Sequence, residues 1–249
     1  MLSDAELDRY ARQIILPAFG GAGQAKLKQA HIVVIGAGGL GCPAITYLAA
    51  AGIGKLTIID DDRVELSNLQ RQPLFTDSDI GALKADIAAQ AARRINPHVE
   101  TVAVAQRLDN DNAEALLAGA SLILDGCDNF DTRLAVNRAA VALHIPLLSA
   151  AIGAFEGQVA LYEGWRAGHA CYACLVGNEP DREGINCAET GVMGALAGMV
   201  GTMAALEAVR ALTGLGASLT GRLAILDMLD RRWREVGVPE DTLCPICQA

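Results

Sequence analysis

Aromatic side chains and positive charge are both scarce in this 249-residue sequence. Phe, Trp and Tyr make up 4% of it, so the core must be built from aliphatic side chains. Twenty Lys and Arg stand against 29 Asp and Glu, which gives a formal net charge of −9. Because binding to a phosphate backbone depends on excess positive charge, this balance argues against nucleic acid or an anionic membrane as the main partner.

The sequence also lacks an export signal and an apolar run long enough to cross a bilayer. Charged residues interrupt the N-terminal segment before an apolar region forms. The most apolar stretch, residues 191–206, is shorter than the roughly 20 residues of a membrane span, which indicates a buried helix. Its residues Gly194, Gly198 and Gly201 predict close packing on another helix. Together with an odd number of cysteines, seven, these features predict a cytoplasmic protein with reduced thiols.

Alternating strand and helix patterns dominate the first 150 residues. A capping box at Ser3 and Glu6 predicts an N-terminal helix over 4–15. Strand and helix then alternate five times, which predicts a doubly wound, Rossmann-like α/β fold with a mostly parallel sheet. Two further strand patterns and the apolar helix follow. We expect a single domain over 1–249, with a nucleotide-binding half at 1–150 and a second lobe at 151–249.

A glycine-rich turn follows the first strand in "HIVVIGAGGLGC", residues 31–42. Gly36, Gly38 and Gly41 have the spacing G-x-G-x-x-G, which lets the backbone turn tightly at the start of a helix and approach a phosphate. Asp60 ends the next strand and can accept hydrogen bonds from a ribose. This arrangement predicts a nucleotide site, and the ribose can belong to NAD or to ATP.

The residues after Asp60 favour ATP over a nicotinamide cofactor. The segment "DDRVELSNLQRQ", residues 61–72, contains Asn68 and Arg71, and Lys84 follows. These polar and cationic groups suit a triphosphate, whereas none of the four histidines has an obvious acid–base partner in the sequence. Arg71 and Lys84 could each be an ordinary surface charge if taken alone. A Walker-type phosphate loop is absent, since no G-x-x-x-x-G-K-[ST] pattern occurs.

The cysteines fall into two pairs and three single residues. Cys171 with Cys174, and Cys244 with Cys247, form two C-x-x-C pairs that can supply four thiolates to a structural zinc ion. A redox disulfide is the alternative. Cys187 lies alone in the polar stretch "EPDREGINCAETG", where a thiol is either a nucleophile or inert. Cys42 and Cys127 resemble core or loop residues.

Two aspartates follow a buried strand in "LILDGCDN", residues 122–129. Ligands of doubly wound sheets collect at this edge, so Asp125 and Asp128 are candidates for binding Mg²⁺ or a ligand hydroxyl. Alternatively, Asp128 caps the helix that begins near Phe130.

Taken together, these motifs resemble the ubiquitin-activating-type adenylyltransferases, the family of MoeB, ThiF and HesA. The resemblance covers nearly the whole chain. Its motifs are "RYARQIIL", "GAGGLG", "IIDDDRVELSNLQRQ", "GALK", "DGCDN", "EGQV", both C-x-x-C pairs and "CAETGVMG". The order of the set makes it specific, although no single motif would be.

The resemblance implies roles for individual residues. It implies that Asp128 holds Mg²⁺, that the four paired cysteines hold zinc, and that Arg12 reaches the ATP of the neighbouring subunit in a homodimer. The catalytic residues would be Arg12, Arg71, Lys84, Asp128 and, as a thiol that joins the carrier in ThiF-like members, Cys187. The nucleotide would be contacted by Gly36, Gly38, Gly39, Gly41, Asp60, Ser67, Asn68, Leu69, Gln70, Arg71, Lys84, Asp128 and Asn129.

The implied activity is ATP-dependent adenylation of the C-terminal glycine of a small ubiquitin-like sulfur carrier. The small subunit of molybdopterin synthase is the expected carrier, and the carrier of thiamine thiazole synthesis is the alternative. Cys127 stands where family members often have Thr. Since the sequence ends two residues after Cys247, we expect the sulfur donor to be a separate protein. A nicotinamide-dependent oxidoreductase and a non-catalytic zinc-stabilised binding protein are the remaining alternatives.

Overall fold

Short aliphatic runs such as "HIVVI" and "LILD" form the strands of one sheet in a computed structural model, which describes residues 1–178 and 191–248. Both faces of these strands are buried, as expected for a parallel sheet covered on two sides. The strands within the described ranges are β1 (His31–Ile35), β2 (Lys55–Ile59), β3 (Glu100–Val104), β4 (Leu122–Asp125), β5 (Leu147–Gly153), β6 (Glu156–Tyr162), β7 (Arg222–Asp227) and β8 (Arg232–Gly237).

The strand order confirms the predicted doubly wound, mostly parallel sheet. It runs β3-β2-β1-β4-β5-β6-β7-β8. Strands β1 to β5 are parallel, and β6, β7 and β8 continue the same sheet in antiparallel pairings. The chain turns from β1 towards β2 on one side and resumes with β4 on the other. This switch point opens a crevice at the carboxyl ends of β1 and β4, where such sheets bind ligands.

Helices cover both faces of this sheet. The described helices are α1 (Asp4–Ile14), α2 (Gly20–Gln29), α3 (Gly41–Ala51), α4 (Lys84–Ile95), α5 (Ala113–Leu117), α6 (Phe130–Leu143), α7 (Tyr172–Val176) and α8 (Gly194–Thr213). Core residues of α2, α3, α4 and α8 pack on one face, and those of α5, α6 and α7 pack on the other. The capping box of α1 is confirmed, since Ser3 Oγ accepts from the Glu6 amide and the Glu6 carboxylate accepts from the Ser3 amide.

Helix α8 contains most of the predicted apolar stretch, residues 191–206. It packs against α3, β5 and β6 in the hydrophobic core. It is the one described helix whose length and composition would suffice to cross a membrane. A Cβ on Gly201 would lie 2.3 Å from the Leu40 carbonyl oxygen, and one on Gly194 would lie 2.2 Å from that of Gln70. The predicted close packing on another helix is therefore confirmed at Gly201, where Pro43 of α3 is also near, whereas Gly194 packs on a loop. The prediction is wrong for Gly198, where a Cβ would have no neighbour within 4 Å.

Candidate active site

A cleft of about 670 Å³ occupies the switch point of the sheet. It is bordered by the loops that follow β1, β2 and β4, and its lining continues along β5, β6 and β7. Loops at the carboxyl ends of different strands thus bring distant parts of the sequence together. The predicted site residues that line it are Gly36, Gly38, Gly39, Asp60, Ser67, Asn68, Arg71, Lys84, Asp128 and Asn129.

The three glycines of the G-x-G-x-x-G motif have different surroundings. Gly36 has a φ of +85°, a backbone conformation that favours glycine. A Cβ on Gly38 would face the cleft, with Gln72 Nε2 at 3.7 Å as its nearest neighbour. A Cβ on Gly41 would lie 1.9 Å from the Gly36 carbonyl oxygen, and Gly41 does not line the cleft. Gly41 therefore serves the packing of loop on helix, while Gly38 leaves room for a ligand.

Asp60 joins the β2 loop to the glycine loop. Its Oδ2 accepts from the Ala37 amide at 2.7 Å and its Oδ1 accepts from the Asp62 amide at 2.9 Å. Burial raises the pKa of this carboxyl above its usual value. The carboxylate therefore lies in a partly dehydrated setting at the edge of the cleft, where a ribose hydroxyl would be a favourable donor to it.

The "SNLQRQ" segment forms a 3₁₀ turn, Leu66–Asn68, beside the glycine loop. Asn68 is buried, and Arg71 donates to the Ser67 carbonyl at 2.9 Å while lining the cleft. Two predicted contacts point elsewhere. Leu69 packs against the core, and Gln70 is exposed with its carbonyl against α8, so neither lines the cleft.

Lys84 is a buried cation at the first residue of α4. A positive charge is unfavourable at a helix N-terminus, where the macrodipole is itself positive. Its Nζ is 2.6 Å from Asp62 Oδ2, and this carboxylate is mostly exposed. Local helix stability does not account for the lysine, whereas an anion in the cleft would.

The two aspartates of "DGCDN" have different positions. Asp125 is buried, and its oxygens accept from the Cys127 amide at 3.0 Å and from Arg133 Nη1 at 3.3 Å. Asp128 is exposed in the cleft and forms no hydrogen bond with the described residues. Asn129 caps α6 by accepting from the Thr132 amide at 2.8 Å. The helix cap proposed for Asp128 is therefore wrong, and Asp128 is the aspartate available to a cation.

Arg12 and Cys187 lie away from this group. Arg12 is exposed in the last turn of α1 and does not line the cleft. No hydrogen bond or ion pair joins it to the described part of the chain. Cys187 lies outside the described residues.

The lining residues that were not expected from the sequence include Gln72, Arg133 and Ser149. Gln72 is buried beside the glycine loop, and its Oε1 has no hydrogen-bond partner among the described residues. It belongs to the quoted "SNLQRQ" motif, which was the available signal. Arg133 donates a hydrogen bond to Ser149, which is 16 residues away in the sequence. No local sequence pattern predicts such a pair.

The four paired cysteines come together where α7 meets the residues after β8. Sγ–Sγ distances are 3.9 Å for Cys171 and Cys174, 3.7 Å for Cys171 and Cys244, and 3.5 Å for Cys174 and Cys247. All four sulfurs lie within 4.8 Å of one another. A tetrahedral zinc with Zn–S bonds of about 2.3 Å requires S–S separations of about 3.8 Å. The donor set therefore fits one tetrahedral metal ion and no disulfide.

Cys42 and Cys127 are poor nucleophiles. Cys42 is buried in α3 and donates to the Ala37 carbonyl, and burial raises the pKa of its thiol to about 12. Burial raises the pKa of the Cys127 thiol well above its usual value, although Cys127 lines the cleft. Both thiols therefore stay protonated near neutral pH.

Comparisons with known proteins agree with this geometry. A model described as the ThiF family matches residues 10–246. The chain is 44% identical to the sulfur carrier protein adenylyltransferase of Thermus thermophilus, over 97% of this chain and 91% of that protein. It is 41% identical to the molybdopterin-synthase adenylyltransferase of Salmonella typhimurium, over 99% and 98%. It is also 41% identical to the ThiS adenylyltransferase of Escherichia coli, over 99% and 97%.

Solved structures share the fold. The structure of E. coli MccB with ATP superposes with a TM-score of 0.84 at 21% identity, over 97% of this chain and 75% of that one. PaaA superposes with a TM-score of 0.81 at 26% identity, over 96% and 76%.

Proposed function

Since the chain belongs to the ThiF family, we propose that it adenylates the C-terminal glycine of a ubiquitin-like sulfur carrier with ATP. The small subunit of molybdopterin synthase is the proposed carrier, because the Salmonella relative of that name matches over both full lengths. The thiamine carrier is the second candidate, because the ThiS adenylyltransferase of E. coli matches equally well. The carrying observation is the convergence of the glycine loop with Asp60, Arg71, Lys84 and Asp128 in one cleft.

The proposed chemistry is a displacement at phosphorus. An oxygen of the carrier carboxylate forms a bond to the α-phosphorus of ATP, the bond from that phosphorus to the bridging oxygen breaks, and pyrophosphate leaves with both electrons. The nucleophile is already ionised, so positioning and neutralisation of charge carry the catalysis. Arg71 and Lys84 would bind the phosphates, and Asp60 would accept from the ribose. Asp128 would hold Mg²⁺, which supplies further charge neutralisation when bound.

The cleft offers little to a hydride-transfer enzyme. None of the four histidines lines it, although each lies in the described part of the chain. Cationic side chains line it instead, among them Arg71 and Lys84, and these suit the phosphates of ATP. This difference argues against the oxidoreductase. A binding protein without activity would share the cleft, so only measured turnover distinguishes it.

The cysteine cluster would hold a structural zinc ion. Four thiolates close a tetrahedral site and leave no position for a water molecule, so the metal would take no part in adenylation. It would connect α7 to the residues after β8, which have little regular structure of their own. Metal binding would therefore stabilise the second lobe.

The second lobe would also bind the carrier. The cleft lining continues from Ser149 on β5 to Gln158 on β6 and Leu223 on β7, which gives an extended C-terminal tail a path to the phosphates. Strand β8 is exposed along its whole length and presents Trp233, which is 54% exposed. An exposed edge strand that carries Trp233 and Val236 among charged side chains suits a protein partner.

We further propose a homodimer in which Arg12 completes the partner's site. Apolar side chains are exposed near it on α1 and the turn after it, namely Leu7, Ile15 and Leu16. Tests are direct, because Arg12→Ala and Arg71→Ala proteins can be mixed. Random exchange of subunits should restore about one quarter of wild-type activity, since half of the dimers are mixed and each has one intact site. No recovery would show that Arg12 acts within its own subunit, whereas an active Arg12→Ala protein would show that Arg12 has no part in the reaction.

The deciding experiment is exchange of labelled pyrophosphate into ATP, with Mg²⁺ and purified carriers of the molybdopterin and thiamine types in separate reactions. We expect exchange with the molybdopterin-type carrier. Lys84→Ala should abolish most of it, whereas Arg94→Ala, an exposed cation on the same helix, should not. Exchange with the thiamine carrier alone would assign the other pathway. ATP binding without exchange for either carrier would support the binding protein. The sulfur donor is proposed to be a separate protein.

A further inference from the structure

Arg133 is a buried cation at the cleft to which the proposed reaction assigns no part. It lies in the first turn of α6 and is 7% exposed. Its Nη1 donates to Asp125 Oδ2 at 3.3 Å and to Ser149 Oγ at 2.9 Å. Its Nη2 donates to the Ala150 carbonyl at 2.8 Å and to the Cys127 carbonyl. Each of the four terminal N–H groups thus has an acceptor within the protein, which leaves none of them for a phosphate or a carboxylate.

These acceptors belong to two neighbouring parts of the sheet. Asp125 and Cys127 lie at the end of β4 and in the loop after it, whereas Ser149 and Ala150 lie on β5. One planar guanidinium therefore ties the β4 loop to β5. The free oxygen of Asp125 also accepts from the Cys127 amide at 3.0 Å. Cys127 is consequently held through both its amide and its carbonyl group.

Asp128 is the next residue, and the residue after it is fixed as well. Asn129 caps α6 by accepting from the Thr132 amide. The backbone of Asp128 is thus restrained on both sides, while its own carboxylate makes no hydrogen bond with the described residues. A loop built in this way can present one carboxylate to the cleft at a fixed place.

We propose that Arg133 is a positioning residue that holds Asp128 in the place where its carboxylate would bind Mg²⁺. The proposal rests on the proposed function, in which Asp128 holds Mg²⁺ with ATP. Lysine would keep the charge, but its three N–H groups radiate from one atom and cannot replace the four hydrogen bonds of the guanidinium. Arg133→Lys should therefore loosen the loop without removing the buried positive charge.

The test is a double-mutant cycle of Arg133→Lys and Asp128→Ala, read as the gain in ATP affinity on adding Mg²⁺. Calorimetry measures this gain without a carrier. We expect Arg133→Lys to leave ATP affinity without Mg²⁺ within about twofold of wild type. We expect it to remove most of the gain from Mg²⁺ and to slow pyrophosphate exchange by about 10²-fold, the effect of a displacement near 1 Å.

In the double variant, the gain should be no smaller than in Asp128→Ala alone, because Arg133 acts through that carboxylate. Arg138→Lys is the matched control on the same helix, since its partners Asn110 and Asn178 lie away from the cleft. If Arg133→Lys does not yield folded protein, Ser149→Ala takes its place in the double-mutant cycle, because it removes one hydrogen-bond acceptor of Arg133. Its gain from Mg²⁺ should fall less.

Losses that add in the double variant, or an undiminished gain in Arg133→Lys, would overturn the positioning role. A wild-type protein that shows the gain and the cycle but no exchange with any carrier would instead refute the proposed function alone. If ATP affinity falls equally with and without Mg²⁺, Arg133 supports the cleft in general and the proposal is refuted.

Discussion

Alanine at two glycines of the same motif should have opposite effects on stability and on ATP binding. In Gly41→Ala, the new Cβ would lie 1.9 Å from the Gly36 carbonyl oxygen and 2.9 Å from its carbon. Both are backbone atoms and cannot rotate away. In Gly38→Ala, the new Cβ would have one neighbour within 4 Å, the flexible Gln72 amide at 3.7 Å.

The magnitudes follow from these distances. Overpacking usually costs about 1–3 kcal/mol, and a backbone clash places Gly41→Ala at about 3 kcal/mol or more. For a domain of this size, that lowers Tm by about 6–12 °C. Gly38 does not have a positive φ, so alanine there should leave stability unchanged or raise it by about 0.4–1 kcal/mol. Its methyl group would instead crowd a phosphate, at about 1–3 kcal/mol, which is about a 5- to 150-fold loss of ATP affinity.

Thermal melting without ligand and calorimetric titration with ATP separate the two effects. We expect Gly41→Ala to have a lower Tm than the wild type. We expect Gly38→Ala to keep its Tm but to bind ATP more weakly. Equal losses of Tm would refute the packing argument. Unchanged ATP affinity in a stable Gly38→Ala protein would show that the phosphates do not approach this loop, and the assignment of the cleft would be wrong.

Three further predictions concern other parts of the molecule. If the cysteine cluster holds zinc as proposed, Cys244→Ser should contain less metal than the wild type and melt at a lower temperature; equal metal contents in Cys244→Ser and the control Cys127→Ser, measured by elemental analysis, would contradict the cluster. Hydrogen bonds from Lys28 and Ser3 lower the pKa of Glu6 to about 2, so its contribution is present above pH 4.5 and lost as pH falls towards 2. Glu6→Gln should therefore cost about 1–3 kcal/mol at pH 7 but little at pH 2, and equal losses in urea unfolding at both pH values would refute this. Peptide mapping should find Cys127 alkylated by iodoacetamide at pH 7 far more slowly than a free thiol; labelling at the free-thiol rate would contradict the raised pKa of its thiol.

The parallel half of the fold was predictable because its strands are buried on both faces and its helices are bounded by local signals. Helices α2 and α7 and strand β8 were not predicted, and α2 and β8 show why. Helix α2, "GGAGQAKLKQ", has four small residues near its start and no apolar stripe to mark it. Strand β8, "RWREVG", is exposed throughout and forms because β7 offers an unpaired edge. The formation of β8 therefore depends on its neighbour β7 and not on a pattern in its own sequence.

The candidate site divides in the same way. In loops that follow strands, the functional residues lie close together in the sequence, so Asp60, Arg71 and Asp128 could be named from it. Whether a polar residue faces the cleft or the protein depends on tertiary partners. Asp125 and Asp128 are three positions apart, yet Arg133 occupies the first and leaves the second exposed. Zinc spacing was recognisable within each cysteine pair, but only the fold brings the pairs together.

The close contacts of helix α8 limit the substitutions that the protein tolerates along this helix. Gly194 and Gly201 touch carbonyls of the loops that form the cleft, and Ala197 Cβ is 3.3 Å from where a Cβ on Gly39 would be. A saturation mutagenesis scan should therefore find a narrow line of intolerant positions at 194, 197 and 201, with tolerance at Gly198 between them. The helix is apolar enough to resemble a membrane span because of its Ala, Leu, Val and Met side chains, several of which are buried in the core. Its hydropathy thus reflects burial in the core, and substitutions at exposed positions such as Met199 and Leu206 are free to make it more polar.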